Sequence, residues 1–254
     1  MIKHYGMRLE ISCTLSRNTL PLEYRRGFAS LIKEAIRRTS PRVFDRYYYG
    51  LHVLKPFTFS VYFPGLKGRD GDSFVIGEKA IVHFSTSSKE LGVSVYNGLL
   101  ALQTHPLFNN TLLVERINLE RRVFIQEESA IFKTMAPVLV NNKGNADWYL
   151  LPREEGFDEG LKFAVKEAAR VFLGKADVSI EFNPIQFRRK VVRHYNMAMQ
   201  GFVGVFELRG SPAVLNLIYD IGLGVRRSQG FGMLELVRQG PYGEQPAFQG
   251  GAHE

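Results

Sequence analysis

The chain has 254 residues, of which 45% are hydrophobic and 12% aromatic, which suffices for one large domain or two of about 100–150 residues. Its 33 Lys and Arg against 25 Asp and Glu give a net charge of +8, which favours a polyanionic partner such as nucleic acid. The single cysteine, Cys13, excludes an intrachain disulfide framework. Since no run of 18 apolar residues or signal-type apolar core is present, we expect a cytoplasmic protein without a membrane span.

The first half of the chain alternates strand and helix patterns. Strand patterns are predicted from period-two alternation or β-rich composition at 7–15, 57–63, 80–86 and 111–125. Between the first two, apolar residues from Phe28 to Ile36 follow helical spacing, and the helix is expected to end before Pro41. A capping box of Ser87 and Glu90 predicts the start of a second helix. The order βαββαβ is that of a ferredoxin-like unit.

The second half repeats this order. Strands are predicted at 134–140, 177–182, 191–208 and 231–237, and a helix face runs from Leu161 to Phe172. Ser211 and Pro212 predict the N-cap and first residue of another helix, which ends at Gly222. We therefore predict an α+β protein of tandem ferredoxin-like (RRM-like) βαββαβ domains at 1–125 and 126–238, followed by a disordered tail over 239–254.

A glycine-rich loop, GLGVRRSQGFG at 222–232, joins the last predicted helix to the last strand. Glycine amides can form a nest for anions and arginine is a forked phosphate donor, so the loop is expected to hold a phosphate chain. Its spacing and its helix–loop–strand order argue against a dinucleotide fingerprint. It also lacks the cation and two aromatics of an RRM stacking motif. The predicted RNA-binding residues of this loop are Gly222, Gly224, Arg226, Arg227, Ser228, Gln229, Gly230 and Gly232.

Two basic surfaces accompany the loop. The densest basic cluster lies on a predicted strand or hairpin and comprises Arg188, Arg189, Lys190 and Arg193. Such a run is typical of a solvated face as well as of an RNA track. A second basic surface lies on and after the first helix, at Arg25, Arg26, Arg37, Arg38, Arg42 and Arg46.

With these residues in view, nearly the whole chain resembles the CRISPR repeat-processing endoribonucleases of the repeat-associated RNA-binding superfamily. The loop fits the family form GhG-x₅-GhG, and SLIKEAI (30–36), KPFTFS (55–60) and APVLV (136–140) resemble shorter family blocks. The resemblance implies cleavage of a precursor RNA within its repeats, without a metal or other cofactor. A ribose 2′-OH attacks the adjacent phosphate and leaves a 2′,3′-cyclic phosphate and a 5′-OH.

The same resemblance nominates the catalytic residues. The family places a catalytic histidine between the first helix and the second strand, and His52 is the only histidine in that segment of this sequence. His52 would serve as base or acid and Lys55 as the cation for the phosphorane. Some relatives carry a tyrosine on the first helix, and Lys33 stands at the matching position. Tyr49, or its neighbours Tyr47 and Tyr48, could supply that group instead, stack on bases or simply pack.

The remaining features leave alternatives open. His83 and His105 are expected to be structural, whereas His194, beside the basic cluster, could contact RNA. No H-E-x-x-H pattern or carboxylate cluster indicates a metal. The alternative function is a non-catalytic guide-RNA-binding subunit of a CRISPR effector complex, and a third is a tandem-RRM regulator of cellular RNA. The expected partner is CRISPR repeat RNA, with effector-complex subunits and a homodimer left open.

Overall fold

The computed structural model describes residues 6–50, 53–142, 145–195 and 197–243. The predicted catalytic histidine, His52, lies outside the described residues, as do positions 244–254 of the predicted tail. Within the described ranges, no helix has both the length and the apolar character to cross a membrane. The cytoplasmic location stays a prediction.

The first half of the chain forms a five-stranded antiparallel sheet, a small three-stranded sheet and three helices. Its elements are β1 (Met7–Leu15), β2 (Thr19–Pro21), α1 (Arg25–Thr39), α2 (Pro41–Tyr48), β3 (Phe57–Tyr62), β4 (Gly68–Asp70), β5 (Ser73–Val75), β6 (Lys79–Thr86), α3 (Lys89–Leu102), β7 (Thr104–Leu107) and β8 (Asn110–Leu119). The larger sheet, here the N-terminal sheet, has the order β3-β6-β1-β8-β7, and the small sheet has the order β2-β5-β4. Without its edge strand β7, the N-terminal sheet has the strand order of a ferredoxin-like unit.

The core of this half follows the predicted periodicity. Helix α1 buries the apolar side of the predicted helix from Phe28 to Ile36. Cys13 is buried on the apolar side of β1, as the strand alternation predicts. Burial raises the pKa of its thiol to about 12, so Cys13 is an inert core residue. The predicted capping box is wrong by one residue. Ser88 caps α3 by accepting the Leu91 amide, whereas Ser87 donates its own amide to Pro56.

The second half forms a four-stranded antiparallel sheet of the same kind. Its elements are β9 (Ser129–Thr134), β10 (Val140–Asn142), β11 (Asn145–Leu150), α4 (Phe157–Leu173), β12 (Ile180–His194), β13 (Met197–Gly210), α5 (Pro212–Ile221), a 3₁₀ turn (Arg227–Gln229) and β14 (Leu234–Gln239). The sheet order β12-β13-β9-β14 repeats the ferredoxin-like order, and β10 and β11 form a separate hairpin. The prediction of an α+β protein with tandem ferredoxin-like domains is confirmed.

The strand predicted at 134–140 is wrong. The strand is β9, which ends at Thr134, and the chain then leaves the sheet because Pro137 has no amide to donate to a ladder. The Pro137 carbonyl instead accepts the Gly232 amide, and Val138 makes a single bridge to Phe202. In this stretch, here the 135–139 crossing, Ala136, Val138 and Leu139 are buried without strand structure.

Polar contacts join the two halves. Arg8 on β1 is buried and donates to the carbonyls of Tyr219 (3.2 Å) and Leu234 (3.0 Å), both in the second half. The Arg122 guanidinium pairs with Asp220 at 2.8 Å, beside the same helix, α5. A shift of one half against the other would break these bonds while their partners stayed out of water, so the contacts favour one fixed arrangement.

Candidate RNA-binding and cleavage site

The glycine-rich loop is a tightly packed joint between the two halves. All four of its glycines have positive φ, between 72° and 88°. A Cβ on Gly224 would lie 2.2 Å from the Leu139 carbonyl oxygen, and one on Gly232 would lie 2.0 Å from that of Leu223. Both positions therefore require glycine for its conformation and for the close approach of another backbone segment.

Several amides of this loop are bonded within the protein. Val225 donates to Leu139 and Gly232 to Pro137, each at 2.9 Å, which fixes the loop to the 135–139 crossing. On its other side, Thr58 of β3 donates its hydroxyl to the Phe231 carbonyl at 2.8 Å. In the structure the loop therefore packs closely against neighbouring backbone segments, whereas the sequence predicts that its glycine amides bind a phosphate. RNA contact by Gly222, Gly224, Gly230 and Gly232 stays a prediction.

The polar side chains of the loop have different surroundings. Arg226 donates to the Tyr149 hydroxyl at 2.6 Å and lies near Gln229. Arg227 is only 8% exposed, and burial lowers the pKa of its guanidinium to about 10. Among the described residues, no hydrogen bond or ion pair to this guanidinium is found. Ser228 and Gln229 are half-buried in the 3₁₀ turn.

The end of the β12–β13 hairpin packs against this loop through His194. His194 is 1% exposed, and its Nε2 lies 3.1 Å from the Gln229 side-chain oxygen. Burial is the main reason that its pKa falls to about 4. The His194 ring has almost no accessible surface, which favours a structural role over RNA contact. Next to it, Arg193 pairs with Asp72 at 2.8 Å and so ties the hairpin to the first half.

A cleft of about 790 Å³ lies between the hairpin and the first half of the chain. Arg25, Arg69, Lys190 and Arg193 line it with positive charge, and Tyr62, 58% exposed, offers an aromatic ring. Of the predicted basic cluster, Lys190 and Arg193 thus face the cleft. Arg188 and Arg189 are exposed farther along β12.

The second predicted basic surface is largely paired. Arg25 donates to the Gly230 carbonyl at 3.1 Å, which joins α1 to the glycine-rich loop. Exposed ion pairs engage Arg26 with Glu23, Arg37 with Glu34 and Arg46 with Glu90.

The predicted catalytic lysines meet at one aromatic ring. The ammonium groups of Lys33 on α1 and Lys55 before β3 lie 5.3 Å and 4.8 Å from the centre of the Tyr48 ring. Burial, together with the charge of Lys33, lowers the pKa of Lys55. Tyr48 is half-buried and burial raises the pKa of its phenol, so this ring is neutral. Tyr49, the predicted tyrosine, is 77% exposed at the end of α2.

The sequence analysis missed two features of the site region. Helix α2 presents Tyr48 to both lysines, yet its eight residues are fewer than the window in which a helical period is recognised. The second is a group of three side chains on the polar face of the N-terminal sheet, Glu10, His83 and Glu120, whose ligand atoms lie within 4.8 Å of one another. The strand alternation places Glu10 and His83 on polar faces, but only the register brings them together.

Known proteins match this chain over most of its length. Residues 119–236 match the model of the family described as CRISPR associated protein Cas6, C-terminal. The chain is similar to the CRISPR-associated endoribonuclease Cas6 1 of Methanocaldococcus jannaschii, with 26% identity over 91% of this chain and 93% of that protein. It is also similar to the CRISPR-associated endoribonuclease Cas6 of Pyrococcus furiosus, at 24% identity over 85% and 83% of the two chains.

Solved structures share the same fold. The structure of a Cas6-related gene product from Pyrococcus furiosus superposes with a TM-score of 0.82 at 21% identity, covering 93% of this chain and all of that one. The match of the C-terminal region to a Cas6 family model and the similarity to Cas6 relatives over most of the chain confirm the resemblance drawn from the glycine-rich loop and the shorter blocks.

Proposed function

We propose that this protein is a metal-independent endoribonuclease that cleaves CRISPR precursor RNA within its repeats. A ribose 2′-OH attacks the adjacent phosphate, and the products carry a 2′,3′-cyclic phosphate and a 5′-OH. The observation that carries this proposal is the convergence of Lys33 and Lys55 on Tyr48, close in sequence to His52. The similarity to Cas6 proteins that are named endoribonucleases supports it.

Lys55 is the proposed electrostatic catalyst. The phosphorane carries more negative charge than the phosphate from which it forms, so a half-buried ammonium stabilises it more strongly than an exposed one would. Burial and the charge of Lys33 lower the pKa of Lys55, which disfavours its charged form in the free protein. A phosphate placed beside it would supply the missing counter-charge.

His52 is the proposed proton-transfer group, as base for the 2′-OH or acid for the 5′ oxygen. The second such group is Tyr49 or Lys33. Tyr49 has an accessible hydroxyl, and Lys33 has an ammonium beside that of Lys55. Tyr48 fits the role less well, because burial raises the pKa of its phenol and its ring contacts the two lysines.

The RNA is proposed to run along β3 from the cleft to the lysines. Tyr62 at one end of β3 lines the cleft, and Lys55 precedes its other end, about 20 Å away at the usual rise of a strand. Lys190, Arg193 and the exposed Arg188 and Arg189 would bind phosphates, while Tyr62 would stack on a base. The glycine-rich loop packs against β3 at Thr58 and Phe59, so the middle of this path would cross the outer surface of the loop.

Single-turnover cleavage of a labelled repeat RNA in EDTA tests this proposal. The wild type is compared with His52→Ala, Lys55→Ala and the matched control Lys67→Ala, an exposed lysine of the same domain. Loss of His52 or Lys55 should slow cleavage by about 10²–10⁴-fold with RNA affinity little changed, and Lys67→Ala should cleave normally. Normal cleavage by both site variants would refute the assignment.

The alternative, a non-catalytic guide-RNA-binding subunit, predicts tight binding of repeat RNA without any cleavage. The third candidate, a tandem-RRM regulator, needs exposed sheet aromatics for base stacking. Phe231, the aromatic of the RRM-like stretch, is fully buried in the glycine-rich loop and disfavours that function.

A further inference from the structure

We propose that Glu10, His83 and Glu120 form a binding site for one Zn²⁺ ion that braces the N-terminal sheet beside the domain junction. The three side chains come from neighbouring chain segments on one face of the sheet, and their ligand atoms lie within 4.8 Å of one another. This site is separate from the proposed cleavage site and does not depend on it.

The register of the sheet builds this arrangement. Glu10 on β1 lies directly opposite His83 on β6, and opposite Asn118 on β8. Glu120, just beyond β8, donates its amide to the Arg8 carbonyl, two residues before Glu10 on the same face. Three ligands held by a paired sheet lose less conformational freedom on binding than three ligands on loops.

In each glutamate a hydrogen bond from a residue outside the cluster holds one carboxylate oxygen and leaves the other oxygen available to the cluster. Glu120 accepts from Arg8 at Oε2, while its Oε1 lies 3.1 Å from His83 Nδ1. Glu10 accepts the Asn118 amide at Oε1, which leaves Oε2 for a ligand role. Such hydrogen bonds from outside the ligand set hold metal-binding carboxylates in place.

The charge balance also suits a cation. Two carboxylates face one cation, Arg8, whose Nη1 and Nη2 donate to carbonyls of the second half.

The donor set selects the metal. Imidazole nitrogen with two carboxylate oxygens suits Zn²⁺, whereas Mg²⁺ and Ca²⁺ prefer oxygen ligands alone. Ligand atoms about 2.1 Å from a tetrahedral Zn²⁺ lie about 3.4 Å from one another. Side-chain rotations that move the ligand atoms by about 1 Å would bring them to this spacing. Water would complete the coordination, since all three residues are only half-buried.

Zn²⁺ titration of chelator-treated, dialysed protein tests this site. Isothermal titration calorimetry at pH 7.5 should show one equivalent bound by the wild type. Glu10→Gln and His83→Gln should each weaken binding by at least about tenfold. The matched control Glu115→Gln, which removes an exposed carboxylate of β8 outside the cluster, should bind as wild type.

A second measurement needs no substitution. Zn²⁺ should slow hydrogen exchange at the amides of β1 and β6 around Glu10 and His83, and leave the β12–β13 hairpin unchanged. The proposal is overturned if the wild type takes up no Zn²⁺. It is equally overturned if both variants bind as wild type, or if protection maps elsewhere. RNA cleavage in EDTA should be the same for Glu10→Gln and wild type, which separates this site from the proposed function.

Discussion

Lowering the pH should destabilise this protein through His194. Its pKa of about 4 in the folded protein compares with about 6.5 in an unfolded chain. The folded pKa is the lower one, so below pH 6.5 the unfolded chain binds a proton that the folded protein excludes. Stability is therefore fully present above pH 6.5 and is lost as the pH falls towards 4.

The magnitude follows from the pKa difference. The free energy of unfolding should fall by about 1.4 kcal/mol per pH unit across this window, or about 3 kcal/mol in all. Little solvent screening is expected because His194 is 1% exposed. The nearby charges of Arg25 and Arg226 also contribute to this lowered pKa.

The assay compares wild type with His194→Gln by urea unfolding at several pH values between 4 and 7.5. Glutamine does not titrate in this window, and its amide can donate to Gln229. Other groups, such as His105, whose pKa is also lowered by burial, cancel in the difference between the two proteins. The difference should change by about 3 kcal/mol, with wild type losing more at low pH. A difference that stays constant from pH 7 to 4 would refute the reasoning.

Three further predictions follow from the joint and the basic surface. Gly232→Ala should lower the free energy of unfolding by at least about 3 kcal/mol in urea, because the new Cβ would meet the Leu223 carbonyl. Gly174 also has a positive φ but lies in open space, so Gly174→Ala should lower it by only about 1 kcal/mol. Arg8→Met should lower the unfolding free energy by about 2–4 kcal/mol, since two buried carbonyls lose a charged donor. Replacing Arg189 and Lys190 by alanine should reduce the slope of log affinity against log salt by about one per lost phosphate contact, measured with labelled RNA.

Each of these has a control or a contradicting result. Equal costs at Gly232 and Gly174 would show that close backbone approach is unimportant in the glycine-rich loop. Arg38→Met, which removes an exposed arginine of α1, should change stability by no more than about 0.5 kcal/mol. Arg170→Ala on α4 should leave the salt slope unchanged, and an equal reduction there would argue against a defined RNA track along β12.

Much of the fold could be predicted because its strands and helices have clear periods. The alternation around Cys13 predicts which side of β1 is buried, and the spacing from Phe28 to Ile36 predicts the buried side of α1. The failure at 134–140 has a physical cause. A short apolar run has the same composition whether it forms a central strand or a buried crossing, and Pro137 was the one signal against a strand.

The site was less predictable because it depends on register and on short elements. Lys33 and Lys55 could be nominated by resemblance, but their convergence on Tyr48 required α2 to be folded against α1. The sequence predicts a glycine-rich loop, but it does not predict that amides of this loop donate to carbonyls of the 135–139 crossing. Glu10 and Glu120 are 110 residues apart, and only strand pairing brings them together.

The most direct test of the central claim is cleavage of a repeat RNA carrying a single 2′-deoxy sugar immediately before the cut, in EDTA, beside the unmodified RNA. If the 2′-OH is the nucleophile, the unmodified RNA is cut at one site and its product bears a 2′,3′-cyclic phosphate. The deoxy RNA should bind with similar affinity and stay intact. Cleavage of the deoxy RNA at the same position and rate would contradict the account, because the attacking group would then have to be water.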